Sequence, residues 1–489
     1  MNYPLISLEM AVVALGLGLL LLELWAPAAV RARLGYAAAV GLGFVLLFSV
    51  VHFSGPDAGG VAFGGMFVQD GLALYFKRLL LIAAIVVQLM SVDYASRLRG
   101  GVAEYHALQL FALAGMMCAA SANDFSVLFV SVELITVTFY VLVGFQRNRL
   151  ASLEAGIKYL ILGALASAFL VFGIALVFGT TGHLDFAGVL AETSARPGEP
   201  LLQAGLLLVL LGLAFKLAAV PMQIWAPDVY QGAPTPTTAF LAIGSKAAGV
   251  VLLLRVLFVA VPELAQAWHR LLIGLAMASI LYGNLCAIPQ RNLKRLLGYS
   301  SIAHAGYLLV GVAAMSSSGQ AAVLFYLGAY LFTVLAAFGV ITVVFQQFET
   351  EDIAALAGLH RRSPLLAWAL ALAMVSLAGI PPLAGFFGKF LLFRAAIEAG
   401  SSDPAYYWLV GVAIFGVVVS LYYYLGVVRA IFWSEPESAP PLAAISRPLR
   451  WALGLCMAAM VLLGVAPGWL LAACQRAVVP LQAYLGAGG

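Results

Sequence analysis

Charge is what this sequence has least of. Asp, Glu, Lys and Arg make up 9% of its 489 residues and 64% are hydrophobic, whereas a soluble domain carries about 25% charged residues. That excludes an ordinary soluble fold and leaves a polytopic membrane protein. The net charge is only +4, with the basic residues in short loops rather than a tail, which argues against nucleic acid as a partner. Cysteine is equally sparse. Cys118, Cys286, Cys456 and Cys474 each sit in or beside an apolar stretch. None belongs to a CxxC pair or a Cys/His cluster, so zinc and iron–sulfur sites are not expected and four small buried side chains are. A GxGxxG turn after a strand and a Walker loop are both missing, and the chain has no room for a nucleotide or flavin domain. The N-terminal apolar run has no basic start and no cleavage site, and it holds Glu9 and Glu23. It reads as a first span rather than a removed signal.

Long apolar runs are what the sequence has instead. A span needs about 20 apolar residues. Fourteen candidates fall near 5–27, 34–53, 73–93, 104–121, 124–145, 156–179, 201–221, 237–261, 268–288, 298–316, 320–346, 365–391, 405–431 and 449–473. Loops after odd-numbered spans hold Arg31, Arg33, Arg97, Arg99, Arg147, Arg149, Arg291, Lys294, Arg295, Arg361, Arg362, Arg447 and Arg450. Loops after even-numbered spans are poor in Lys and Arg and hold Asp57, Asp185, Glu192, Glu263 and Asp403. The positive-inside rule puts the odd loops in the cytoplasm and both termini on the other side. Residues 347–364 are expected to form one short amphipathic helix on the cytoplasmic surface.

Two stretches repeat. LAAVP at 217–221 in span 7 matches LAGIP at 377–381 in span 12, an offset of 160. The surroundings of Tyr159 in span 6 loosely match those of Tyr326 in span 11. Spans 4–8 and 9–13 then form two five-helix units, and an odd count inverts one against the other. The expected organisation is 1–100 (spans 1–3), 101–261 (first unit), 262–431 (second unit) and 432–489 (span 14 and the C-terminus). Pro221, Pro381 and Pro382 remove backbone donors within spans 7 and 12. Broken membrane helices survive only where protein or water satisfies the freed carbonyls.

Charge coincides with those breaks. Lys216 lies five residues before Pro221, Lys389 seven after Pro382, Lys246 well inside span 8 and Glu133 about nine residues into span 5. A charge near mid-bilayer costs at least about 2.5–3.5 kcal/mol unless paired or wetted. A static Glu133–Lys216 ion pair is the bland reading, but it gives Lys246 and Lys389 no purpose. Burial lowers a lysine's pKa and a nearby carboxylate raises it, so Lys216 paired with Glu133 holds a proton and releases it when the pair opens. Lys246 is the candidate central relay and His304 in span 10 the next station, although a helix histidine is as readily a hydrogen-bonded core residue. Lys389, nearer the outer face, is the candidate exit. Lys158, four residues after Glu154, reads first as an interfacial snorkelling lysine. Asp228 is placed in the loop after span 7, guiding protons or capping a turn. Lys77, Arg78 and Arg255 have no role assigned.

These segments together resemble a known family. VELITVTFYVLVGF, LEAGIKYLILGALASAFLVFG, FKLAAVPMQIWAPDVYQGAPTPTTAFLAIGSKAAG, NLKRLLGYSSIAHAGYLL and LAGIPPLAGFFGKF look like the antiporter-like membrane subunits of respiratory complex I. Lysine rather than glutamate at 389, and the span 6 motif, favour the subunit N branch over its sisters L and M. The resemblance implies an all-α polytopic membrane protein with about fourteen transmembrane helices, two inverted five-helix repeats and broken helices 7 and 12. It implies a proton-translocating module of a bacterial inner-membrane NADH–quinone oxidoreductase, with Glu133 and Lys216 coupled, Lys246 central and Lys389 on the exit side. His304, Lys158 and Asp228 are secondary. No cofactor or metal is expected in this chain; NADH, FMN, iron–sulfur clusters and quinone are expected in other subunits. Subunits M, K and J and membrane lipid are the implied partners. Three alternatives stay open: a cation/proton antiporter, a scaffold with static ion pairs, and a ferredoxin-, plastoquinone- or hydrogenase-linked relative.

Overall fold

The computed structural model describes residues 3–53, 59–95, 101–196, 198–348, 350–435 and 445–482; Asp57, Arg97 and Arg99 lie outside them. The fold is a bundle of apolar helices. They are α1 (Ser7–Trp25), α2 (Leu34–His52), α3 (Gly71–Ala95), α4 (Val102–Ala120), α5 (Phe125–Val143), α6 (Leu150–Thr181), α7a (Pro200–Leu217), α7b (Trp225–Gly232) and α8 (Thr235–Ala260). There follow α9 (His269–Ala287), α10 (Leu293–Ala313), α11 (Ser317–Phe348), α12a (Pro364–Ala378), α12b (Ala384–Ala399), α13 (Ala405–Trp433), α14 (Arg447–Val465) and α15 (Gly468–Gln482). Thirteen helices among the described residues are long and apolar enough to cross a membrane. The broken twelfth adds a further crossing assembled from two halves.

Burial sorts the helices. The most apolar window of α8 is wholly buried and those of α10 and α11 are 94% buried, against 33% for α1 and α6. Charges on α8 and α10 are therefore interior, while α1 and α6 turn most of their surface outward. Helix starts follow local chemistry: the Asp124 carboxylate caps α5 by accepting from the Ser126 N–H at 2.7 Å, and the Asn292 amide oxygen caps α10 by accepting from the Arg295 N–H at 3.0 Å. Between α9 and α13, the Asp403 carboxylate accepts from the Ala405 N–H, His269 and Arg270. These bonds, the backbone one foremost, hold it well below the usual carboxylate range.

The fold is all-α as expected, with one short antiparallel ribbon that pairs β1 (Gly60–Ala62) with β2 (Phe67–Gln69) ahead of α3. Three expectations change. Residues 350–364 do not form one amphipathic helix: Ile353–Leu356 and Leu359–Arg362 are separate turns, divided at Gly358, whose φ is +65°. Span 14 ends at Val465, and α15 starts afresh after Ala466 and Pro467. Asp228 lies in the short helix α7b, not in a loop.

The three basic residues without a role acquire partners. Lys77 forms a buried 2.7 Å ion pair with Glu9, tying α3 to α1. Arg255 pairs with Asp70 at 2.9 Å and donates to the Ala120 carbonyl at 2.9 Å. Arg78 donates to the carbonyls of Ser49 and Phe53 at 2.8 and 3.0 Å.

Candidate functional site

The two helix breaks share one backbone device. α7a ends on Ala218 with φ +56°, and α12a on Gly379 with φ +84°. The Ala218 N–H donates to Phe215 O and the Ala219 N–H to Ala214 O; the Gly379 N–H donates to Ser376 O and the Ile380 N–H to Val375 O. This left-handed cap satisfies carbonyls that a stopped helix leaves orphaned. The two patterns superpose at 379 − 218 = 161 residues, one more than the Leu-Ala-x-x-Pro match indicates. The peptide bonds before Pro221 and Pro382 are cis.

Around the first break, Glu133 is the ninth residue of α5 and half-buried; its carboxylate accepts from the Ser167 hydroxyl of α6. Lys216, in the last turn of α7a, is buried and its Nζ donates to the Thr136 hydroxyl, one turn beyond Glu133 on α5. The expected direct Glu133–Lys216 ion pair is thus not formed among the described residues: the acid turns to α6, and a hydroxyl takes the ammonium. A narrow gap lined by Val132, Ala166, Ser167, Gly212 and Lys216 lies beside them. The Phe215 carbonyl accepts from the Trp225 indole at 3.0 Å, so α7b caps α7a across the break.

α8 brings the next lysine to the centre. A π-helical turn, Leu241–Ser245, immediately precedes Lys246, a distortion frequent at functional sites. Lys246 is buried and donates to the backbone and side-chain oxygens of Ser301 on α10 at 2.5 and 2.7 Å. Its Nζ stands 5.4 Å from the centre of the Tyr330 ring, and Ser301 Oγ bonds the Tyr230 hydroxyl at 3.0 Å. Gly249, one turn after Lys246, lets α8 meet α7a closely: a Cβ there would stand 3.0 Å from Lys216 Cβ.

His304 lies one turn after Ser301. Its Nδ1 bonds the Tyr326 hydroxyl, its Nε2 bonds the Tyr424 hydroxyl at 3.1 Å, and Tyr424 also bonds Ser300. Its ring is 5.0 Å from Tyr330 and 5.8 Å from Tyr307. Lys389 stands beyond Tyr307, its Nζ 4.8 Å from that ring. The Lys389 ammonium is buried. It reaches back along α12b and donates to the carbonyls of Leu377 and Ala378 at 2.7 and 3.1 Å, the groups that the break in α12 frees. Two tyrosines, Tyr330 and Tyr307, thus connect Lys246, His304 and Lys389 in one buried row.

Lys158 and Asp228 stand apart from this row. Lys158 bridges Glu154 at 2.7 Å and Asp228 at 2.8 Å, and Arg295 also binds Asp228. Lys294, expected in a cytoplasmic loop, instead lies in the first turn of α10. It is fully buried, donates to the Ala233 carbonyl at 2.7 Å and pairs with Glu351 at 3.2 Å; Arg149 reaches the same carboxylate at 3.4 Å. A signal was available: Lys294 precedes Ser301 by seven residues, two turns on one face of α10. No group of three or more His, Cys, Asp or Glu among the described residues is arranged to hold a metal ion.

Comparison with known proteins places this geometry. Residues 122–420 match the family described as NADH:quinone oxidoreductase/Mrp antiporter, TM. The chain is 41% identical over 467 residues to NADH-quinone oxidoreductase subunit N of Desulforamulus reducens, covering 96% of each. It is 40% identical over 444 residues to the subunit N of Rhodospirillum rubrum, covering 90% of this chain and 89% of that one. A chain of respiratory complex I from Thermus thermophilus, solved with bound aureothin, superposes with a TM-score of 0.79 at 36% identity, covering 96% of this chain and 99% of that one. A chain of the Mrp complex from Dietzia superposes with a TM-score of 0.86 over 99% of this chain and all of that one; at 23% identity it shares the fold alone.

Proposed function

The chain belongs to the NADH-quinone oxidoreductase subunit N family of antiporter-like membrane subunits, and from that membership we propose how its buried side chains carry protons. It is a multi-pass membrane-arm subunit of an enzyme complex that couples quinone reduction to proton translocation. The carrying observation is Lys246: a fully buried lysine, held by Ser301 and Tyr330, with no carboxylate within ion-pair distance among the described residues.

Lys216 takes its proton in reach of Glu133, with Thr136 and Ser167 as the hydroxyls through which the pair opens and closes. Lys246 receives it and passes it by way of Ser301 and the tyrosine-lined His304 pocket to Lys389. An ammonium has three N–H donors. Lys389 uses two on the Leu377 and Ala378 carbonyls, so losing the third proton leaves a neutral amine that still satisfies both. The same holds for Lys246 on Ser301. Each can discharge without orphaning a buried acceptor. The Lys158–Asp228–Arg295 cluster feeds protons towards the row from the surface carrying the basic loops.

In this reading the chain carries no redox centre; NADH, FMN, iron–sulfur clusters and quinone belong to other subunits. Subunit M flanks it on one side and the small subunits K and J on the other. The complex sits in the bacterial inner membrane with both termini of this chain periplasmic, and residues 101–261 and 262–431 act as the two inverted units. The test is the assembled complex in sealed vesicles, wild type beside Lys246→Ala. The variant is expected to lose proton uptake per quinone reduced. Full pumping by the variant, or cation–proton exchange without NADH, would sink the relay.

A further inference from the structure

A lateral crevice opens between α3, α11 and α15, away from the lysine row. Its volume is about 580 Å³, within the roughly 300–1,000 Å³ range of small-molecule sites. The walls are apolar, with Leu74, Leu79, Ile82, Leu331, Phe332 and Leu470 among them. Two cations, Arg78 and Arg476, also line it.

Their geometry is specific. Arg78 is the eighth residue of α3 and half-buried. Its guanidinium bends towards the end of α2, where Nε donates to Ser49 Oγ at 3.2 Å and Nη2 to the carbonyls of Ser49 and Phe53. Phe53 immediately follows α2, so the charge lies level with the membrane boundary while the stem descends along the crevice. This is the snorkelling expected of an arginine in a span. Nη1 has no acceptor among the described residues. Arg476 on α15 is exposed, and only its Nε is engaged, with the Ala472 carbonyl at 3.3 Å. α15 packs onto the start of α3: a Cβ on Gly71 would stand 3.5 Å from Ala477 Cα. Both guanidiniums therefore belong to the same end of the bundle, and neither has a carboxylate partner among the described residues.

We propose that this crevice binds one anionic glycerophospholipid of the leaflet opposite the basic loops, its phosphate against Arg78 and Arg476 and an acyl chain along α3 and α11. A guanidinium fork matches phosphate geometry, and positive charge at the headgroup level draws an anionic lipid more strongly than a zwitterionic one. The lipid would seat α15, which otherwise touches the bundle through one face.

The experiment uses the complete complex in native membranes. A photoreactive residue introduced in place of Ile82 is activated by light, and the modified peptides are read by mass spectrometry. Adducts of an anionic phospholipid are expected, and Arg476→Glu, an exposed position whose change leaves helix packing alone, should reduce them about tenfold. Arg78→Gln should do the same from the other wall. Three outcomes overturn the proposal: adducts unchanged in both variants, adducts of zwitterionic lipid in membrane proportion, or capture of a neighbouring polypeptide. The readout does not depend on proton pumping, so it stands or falls apart from the relay.

Discussion

The two broken helices solve one problem in opposite ways. Each stops on a left-handed residue with the same pair of backbone hydrogen bonds, 161 residues apart. In α7 the cation stands before the break and plays no part in closing it: Trp225 donates to the Phe215 carbonyl, and Lys216 turns away to Thr136. In α12 the cation stands after the break and is itself the closure, spanning back to Leu377 and Ala378. At an offset of 161, Lys216 corresponds to Leu377, and Lys389 to Asp228. The two lysines are therefore not copies of one another. Lys216 is free to exchange partners with the hydroxyls and the carboxylate of α5 and α6, which suits a switch. Lys389 has a fixed seat that tolerates loss of a proton but not of the side chain, which suits a terminal station.

The difference is sharpest in stability. Lys389→Met leaves two buried carbonyls without their donor, at about 1–3 kcal/mol each. Lys216→Met withdraws one donor from Thr136, whose hydroxyl keeps its own bond to the Val132 carbonyl, and should stay within about 1 kcal/mol. Both variants should lose proton uptake, but only Lys389→Met should markedly lower the thermal unfolding midpoint of the complex in detergent. Equal midpoints would erase the distinction between switch and strut. Trp225→Phe tests the other half: it keeps the packing against Tyr159 and Phe215 but removes one of the two donors to the Phe215 carbonyl, which keeps the Ala218 N–H. The expected loss is about 0.5–1.5 kcal/mol, with Lys216 still in place. A variant as stable as wild type would mean that the left-handed backbone cap alone, not the indole, closes the first break.

Much of this was legible in the chain. Lysines inside apolar runs, prolines in spans 7 and 12, and the Leu-Ala-x-x-Pro repeat led to Lys216, Lys246, Lys389 and the inverted halves. The missing parts have physical causes. The repeat aligned at 160 because it was anchored on the prolines, whereas the backbone turns on a left-handed residue that is glycine in one copy and alanine in the other; Ala218 carries no such signal. The Glu133–Lys216 pair was inferred from opposite charge, but Ser167 and Thr136 were too ordinary in sequence to be recognised as the partners that separate it. The seat of Lys389 on the Leu377 and Ala378 carbonyls leaves no trace in the sequence, because a long flexible stem hides where the ammonium ends. Lys294 was counted as a loop charge because it lies beside Arg295, although its two-turn spacing to Ser301 marked it as interior.

The smallest expected effects concern the caps themselves. Gly379→Ala places an L side chain at φ +84°, at a cost of about 1–2 kcal/mol, and the new Cβ would stand 3.0 Å from Lys389 Cδ. The lysine stem must shift, so proton uptake should fall along with the unfolding midpoint. Ala218→Gly is the converse. It relieves a strained left-handed alanine of about 1–2 kcal/mol but adds backbone freedom to the unfolded chain worth about 0.5–1 kcal/mol. The balance is a stabilisation below about 1 kcal/mol, and no lysine is displaced. The midpoint should therefore rise slightly with pumping unchanged. A fall in pumping for Ala218→Gly would mean that the rigidity of the first cap, and not only the freedom of Lys216, belongs to the switch.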